Sequence, residues 1–187
     1  MNRRTFMEAA AAGPAVAVAA AMAPAAQAGQ PARGVARIDP DELAAAAVRH
    51  FLPGKLTCGE ALLKAACEAL DIRSDLVPDA ALGLAGGVGL QGKTCGCVTG
   101  PAVVLGLAIG RQERQYKAKK MRTFKAAGAY CKRFEEKFGT VACRKISGLD
   151  LTTPEGREKL ASHVKADTCS KVVETAARML AESLATA

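Results

Sequence analysis

Glycines crowd into one stretch of this chain, Gly86 to Gly110, reading GGVGLQGKTCGCVTGPAVVLGLAIG, with Cys95 and Cys97 at its centre. A glycine has no Cβ, so it admits left-handed backbone and close approach of another chain segment. The stretch therefore predicts a loop opening into a helix that a neighbouring helix can touch backbone to backbone. The pairs Gly96/Gly100 and Gly106/Gly110, each four residues apart, lie on single helix faces and suit such a contact. The Val98–Ile109 run is too short to cross a membrane.

From Asp39 onward the pattern is helical, with no alternating strand signature. Asp39-Pro40-Asp41-Glu42 reads as a capped helix start, and Pro53-Gly54 ends that helix. Thr57-Cys58-Gly59-Glu60 repeats the capping box and opens a helix to about Leu70. Residues 71–93 read as loop with one turn near Ala80. A helix follows from Cys95 to about Ile109, then a long one from about Arg111 to Phe138, stopped by Gly139. Thr153-Pro154-Glu155 starts a last helical region with a break expected near Asp167. Two apolar stripes give direction: Phe124, Ala127, Cys131, Phe134, Phe138, and Cys169, Val172, Val173, Ala176, Leu180, Leu184. Both stripes turn their cysteine inward. The expected fold is all-α, a compact bundle of five to six helices with a glycine-rich loop before a central helix.

The first 28 residues have the features of an export signal: Asn2-Arg3-Arg4-Thr5-Phe6-Met7 resembles a twin-arginine box, an Ala/Val-rich run follows, and Ala26-Gln27-Ala28 suits cleavage. The organisation is then signal at 1–28, linker at 29–38 and one helical domain at 39–187, with periplasmic localisation and no stable span after cleavage. Setting the signal aside lowers the formal charge from +8 to +7. The remaining domain, about 160 residues, is large enough to bury a core without disulfides. Its seven cysteines are thus not needed as staples, and an odd number leaves at least one thiol unpaired or engaged elsewhere.

Thr57-Cys58, Thr94-Cys95 and, if the last helix restarts there, Thr168-Cys169 put a thiol at a helix start. Free amides and the helix dipole there favour thiolate. Such cysteines ligate metal or attack disulfides. Cys67 and Cys131 lie on apolar helix faces without cap or glycine and read as small core residues. Cys97, two residues from Cys95, fits a shared metal better than a strained disulfide. It stays open as a fifth ligand, a resolving thiol or a small packing residue.

Thr57-Cys58-Gly59-Glu60-Ala61, the turn Cys95-Gly96-Cys97-Val98-Thr99-Gly100, Phe138-Gly139 with Cys143-Arg144-Lys145-Ile146-Ser147-Gly148, and Cys169 occur in that order. Together they resemble the C_GCAxxG_C_C family of redox-active proteins, whose mark is a CGAxxG motif with three further cysteines. Cys97 stands here at the motif's alanine. The resemblance covers Thr57 to the C-terminus and implies a redox site built on Cys58, Cys95, Cys143 and Cys169. Four thiolates meet the ligand count of an iron–sulfur cluster, with [2Fe–2S] the expected type, or of structural zinc. Without metal, Cys95 would attack a disulfide and Cys97 or Cys58 would resolve it. A third reading is a non-redox binding module with structural cysteines.

Other signals exclude more than they assign. No C-x-x-C-H haem site and no C-x-x-C is present, and His50 and His163 stand at no ligand spacing from a cysteine. Gly87-Val88-Gly89-Leu90-Gln91-Gly92-Lys93-Thr94 matches the P-loop pattern, but no apolar strand leads into it. The basic run Arg111–Lys125 reads as a solvated face. Sparse aromatics and export argue against nucleic acid. An acidic electron-transfer partner is the docking alternative for that face. A redox partner protein of unspecified identity is expected, and homo-oligomerisation stays open.

Overall fold

Helix α1 (Pro40–Phe51) begins where its cap residues put it: the Asp39 carboxylate accepts from the Asp41 and Glu42 amides, and Pro40 occupies the first turn. The computed structural model describes residues 38–187, so the expected signal at 1–28 and all but the last residue of the linker lie outside the described residues. Helix α2 (Cys58–Ala69) starts with the capping box: buried Glu60 accepts from the Thr57 amide at 2.9 Å and the Thr57 hydroxyl at 2.6 Å. These bonds satisfy a carboxylate that burial would otherwise penalise.

A short 3-10 helix, Asp79–Leu84, occupies the turn expected near Ala80. The chain then passes through Gly86, Gly87, Val88, Gly89 and Leu90, all with positive φ of 58–73°. At Gly87 a Cβ would sit 2.5 Å from the Lys93 amide nitrogen, so only glycine fits. No strand enters this loop among the described residues, in keeping with the rejection of a P-loop.

Helix α3 (Gly96–Gln112) runs three residues past the expected end. Helix α4 (Tyr116–Phe138) starts later than expected because extended backbone at Glu113 separates the two and Gln115 caps the Ala118 amide. Gly139, at φ 72°, ends α4 as a left-handed C-terminal residue. Short helices α5 (Cys143–Ser147) and α6 (Pro154–Lys159) follow. A π-helical segment, Leu160–Cys169, then leads without interruption into α7 (Ser170–Thr186). The expected break near Asp167 is therefore a change of helical pitch, and Cys169 does not stand at a free helix start.

The fold is all-α, as the periodicity indicated. Helix α1 packs on α7 and α2, α2 on α3, and α3 on α4. Leu62, Leu63, Leu105 and Leu180 are fully enclosed, each contributing about 2 kcal/mol of burial. The α7 stripe faces inward as expected, with Cys169 half-buried at its start. Most of the α4 stripe faces inward as expected, Phe134 being buried and Ala127, Cys131 and Phe138 packing against the core, but Phe124 projects into solvent and Tyr130 joins the buried face. Tyr130 wins the inner position because its hydroxyl finds two carbonyls there, Cys97 O at 2.9 Å and Ala176 O at 3.1 Å. Gly96 and Gly100 press on the Gly59 backbone as foreseen, whereas Gly106 and Gly110 meet only the Thr123 and Lys119 side chains, each at 3.7 Å.

A Cβ on Gly100 would lie 2.7 Å from the Gly59 carbonyl oxygen, but one on exposed Gly128 meets nothing within 4 Å. Gly100→Ala is expected to cost about 1–3 kcal/mol by forcing α2 and α3 apart. Gly128→Ala is expected to gain roughly 0.5–1 kcal/mol from helix propensity. Urea unfolding followed by far-ultraviolet circular dichroism checks both, and equal effects would refute the close contact.

Candidate functional site

Three separate pieces of backbone bring the thiols of Cys58, Cys95, Cys97 and Cys143 together, and a fourth carries Cys169 nearby. Cys58 is the first residue of α2, and its sulfur lies over Gly96, where any Cβ would approach it to 2.5 Å. Glycine at 96 is what lets the start of α3 sit beneath this sulfur. Cys95 caps α3, and Cys97 is buried in its first turn. The three sulfurs of Cys58, Cys95 and Cys97 all lie within 4.8 Å of one another.

Cys143 comes from a clip that the sequence pattern did not announce. Residues 92–95 run antiparallel to 141–144: the Cys95 amide donates to Val141 O at 2.8 Å, the Cys143 amide to Lys93 O at 2.7 Å, and the Arg144 amide to Gly92 O at 3.1 Å. A single bridge pairs Thr94 with Ala142 at its centre. Gly92 is required here, because a Cβ would meet that of Arg144 at 2.8 Å. The clip turns the Cys143 thiol onto that of Cys95. Cys169, at the end of the π-helical segment, stands close enough to feel the negative charge of Cys58 and Cys143.

The thiols share protons unequally. Cys58 is held well below the ordinary thiol range, first by hydrogen bonds from the Cys95 and Cys97 thiols and further by the Gly59 and Cys58 amides. Cys143 is also lowered, by the thiol of Cys95. Cys95 is pushed well up, since its proton is shared with Cys143 and Cys58. Cys97 is raised well above its ordinary value by its hydrogen bond to Cys58. Burial pushes Cys169 up to about 12. The expectation that a helix start lowers Cys95 is thereby corrected: at the N-cap, three neighbouring thiols outweigh the dipole, and Cys58 is the poised thiolate.

Two further groups escaped sequence reading. Tyr130 ties α4 to the Cys97 carbonyl and to α7, and its phenol is raised well above the usual range by burial. Its place one turn before Phe134 was the available signal. Thr99 Oγ1, one turn after Cys95, is buried without a hydrogen-bond partner. Cys67 packs in the core, as read from its apolar face. His50 pairs with Glu68 at 2.8 Å, and His163 contacts Ser162, so neither joins the thiols.

An antiparallel clip, glycine-mediated helix contact and ordered cysteines are what a gathered thiol site demands. The sequence model described as "Putative redox-active protein (C_GCAxxG_C_C)" matches residues 56–183. The chain belongs to the C_GCAxxG_C_C family. No curated protein and no solved structure matches it. Within the family's span, the cluster Cys58, Cys95 and Cys97 fits a redox or metal-binding role.

Thiolate bonds of about 2.3 Å to a tetrahedral metal put sulfurs about 3.8 Å apart. Sulfurs already within 4.8 Å need only small shifts to share one metal atom. In metal-free protein, iodoacetamide at neutral pH is expected to label Cys58 well before Cys169, because the thiolate is the nucleophile. Peptide mass spectrometry over a time course reads the order, and equal rates at the two positions would contradict the proton distribution described above.

Proposed function

We infer that this protein is an exported electron carrier whose iron–sulfur centre, of the [2Fe–2S] type, is held by Cys58, Cys95, Cys143 and Cys169. The observation that carries the reading is the convergence of thiols from α2, the α3 start and the 141–144 clip, with Cys58 and Cys95 within shared-metal distance. Soft thiolates select iron–sulfur clusters, zinc or copper(I), and only some of these carry electrons. Iron is favoured by the family's redox-active description. The Arg3-Arg4 signal also supports it, because the twin-arginine route exports folded proteins and so lets a cofactor be inserted in the cytoplasm.

When bound, the cluster supplies one-electron transfer. The chain's own residues set its conditions. Gly59 and Cys58 amides donate to the Cys58 sulfur, stabilising its negative charge. Tyr130 fixes the first turn of α3 through the Cys97 carbonyl. Burial of Cys95 and Cys143 keeps bulk water from the sulfurs. A redox partner protein, whose chemistry the chain leaves open, would exchange the electron.

A second reading rests on the lowered Cys58. In metal-free protein its thiolate attacks a partner disulfide, forming a mixed disulfide and expelling one partner thiolate. Cys97 then attacks the Cys58 sulfur, closing a Cys58–Cys97 disulfide, while the second partner sulfur leaves and takes the Cys97 proton. The partner disulfide is reduced and the Cys58/Cys97 pair is oxidised by two electrons.

Anaerobic purification with iron and zinc analysis and visible spectroscopy separates these. Brown, iron-containing protein is expected, with absorbance lost in Cys58→Ala, Cys95→Ala, Cys143→Ala and Cys169→Ala. Cys97→Ala, which restores the family motif's alanine, is expected to keep its iron. Colourless protein with a titratable Cys58–Cys97 disulfide would overturn the cluster and favour exchange. Stoichiometric colourless zinc would assign a structural metal instead.

A further inference from the structure

The first half of α4 carries an exposed face that neither the thiol pocket nor the core explains. Tyr116 is 71 % exposed, Met121 59 % and Phe124 61 %. Large apolar side chains this exposed and this close together mark an interaction surface, because leaving them in water forfeits their burial. Between them lie exposed Lys117, Lys120 and Lys125, with Arg114 just before the helix. Helix α4 has no acidic residue before Glu135. Lys120 Nζ stands 5.6 Å from the centre of the Phe124 ring, and Lys119 Nζ 5.9 Å from that of Tyr116. Leu107 of α3, 38 % exposed, adds to the apolar surface, and Gly106 beside it packs on Thr123 of α4.

Charge and side-chain type narrow the occupant. A second copy docking through the same face would set Lys117, Lys120 and Lys125 against themselves, so self-association by a twofold contact is opposed by like charge. Protein interfaces enrich arginine and deplete lysine, and their polar groups answer specific partners. This face does the reverse: flexible lysines alternate with a phenol, a thioether and a phenyl ring. Lysine stems lie along apolar surface while their ammonium groups reach outward, and aromatic rings settle at the level of lipid headgroups. No helix among the described residues is long and apolar enough to cross a membrane, so such a face would lie on a bilayer.

We propose that the Tyr116–Lys125 face of α4 docks the protein on an anionic phospholipid surface, with Tyr116, Met121 and Phe124 entering the headgroup boundary and Lys117, Lys120 and Lys125 meeting lipid phosphates. The face lies on the helix that contacts the first turn of α3 at the thiol pocket through Tyr130. The proposal is independent of which metal the thiols hold.

The test is co-sedimentation of the full chain with large vesicles of phosphatidylcholine alone or with about 30 mol % phosphatidylglycerol, at roughly 50 mM and roughly 500 mM salt. Binding to the anionic vesicles at low salt is expected, and little to the neutral ones. The triple variant K117E/K120E/K125E is expected to weaken partitioning at least about 100-fold, given the attraction each cation has for an anionic leaflet. M121S/F124S is expected to weaken it roughly tenfold or more at both salt concentrations. K132E/K137E, which changes charge elsewhere on α4, is expected to stay within about twofold, since the contact is local. F124W introduces the chain's only tryptophan, whose emission should shift blue on anionic vesicles. Circular dichroism and the visible spectrum of each variant show that fold and thiol site are unchanged, which separates failure here from failure of the cluster reading. Equal binding to both vesicle types, an unchanged triple variant, or an unchanged M121S/F124S would overturn the proposal. Binding to poly-L-glutamate but not to anionic vesicles would overturn it in favour of an acidic protein.

Discussion

Everything at the thiol pocket depends on two helix starts lying backbone against backbone. Gly96 and Gly100 of α3 face Gly59 of α2 so closely that a Cβ on Gly100 would come within 2.7 Å of a carbonyl oxygen. That contact places Cys58, at the head of one helix, over the head of the other. Sulfurs 37 residues apart in sequence thereby come within 4.8 Å. Apolar burial alone could not specify this, because it is non-directional. The absence of β-carbons at Gly96 and Gly100 sets the distance, and the Glu60 capping box fixes the direction in which α2 leaves it.

The second constraint is electrostatic. Several thiolates cannot share a buried pocket without compensation, since each adds a charge that burial penalises. In the protein alone the conflict is resolved by protons: Cys95 and Cys97 keep theirs and donate toward Cys58 and Cys143, and Cys169 stays protonated. A metal cation would resolve it by replacing those protons, so binding should release protons and strengthen with pH. The same arrangement therefore suits a ligand set and a nucleophile, which is why both readings start from Cys58.

The helices were legible because caps and stops are local chemistry. Asp39-Pro40, Thr57 to Glu60 and Gly139 each act within a few residues, and each appears where its pattern put it. The Gly96/Gly100 contact was legible for a related reason, since residues four apart share a helix face. What escaped depends on distant partners. The 92–95/141–144 clip consists of backbone bonds, which leave no mark on side-chain pattern. Phe124 was misplaced because its apolar character says nothing about whether a neighbour exists to cover it. Tyr130 was overlooked because its polar hydroxyl hides how well it is satisfied inside. Cys95 was misjudged because a dipole argument counts one helix and omits the thiols of others.

Cys97 brings these constraints together. In the family motif its position is alanine, a residue small enough for the first turn of α3 to lie against α2. A cysteine keeps that compactness while adding one sulfur, and here the sulfur reaches Cys58 and Cys95 without disturbing the glycine contact. It is fully enclosed and held from behind by the Tyr130 hydroxyl on its own carbonyl. That bond holds the backbone of the first turn of α3 in place beside the Cys58 sulfur. In the metal-free protein Cys97 supplies a hydrogen-bond donor to the Cys58 sulfur, stabilising negative charge there, and the same proximity is what would let it close on that sulfur as the resolving thiol.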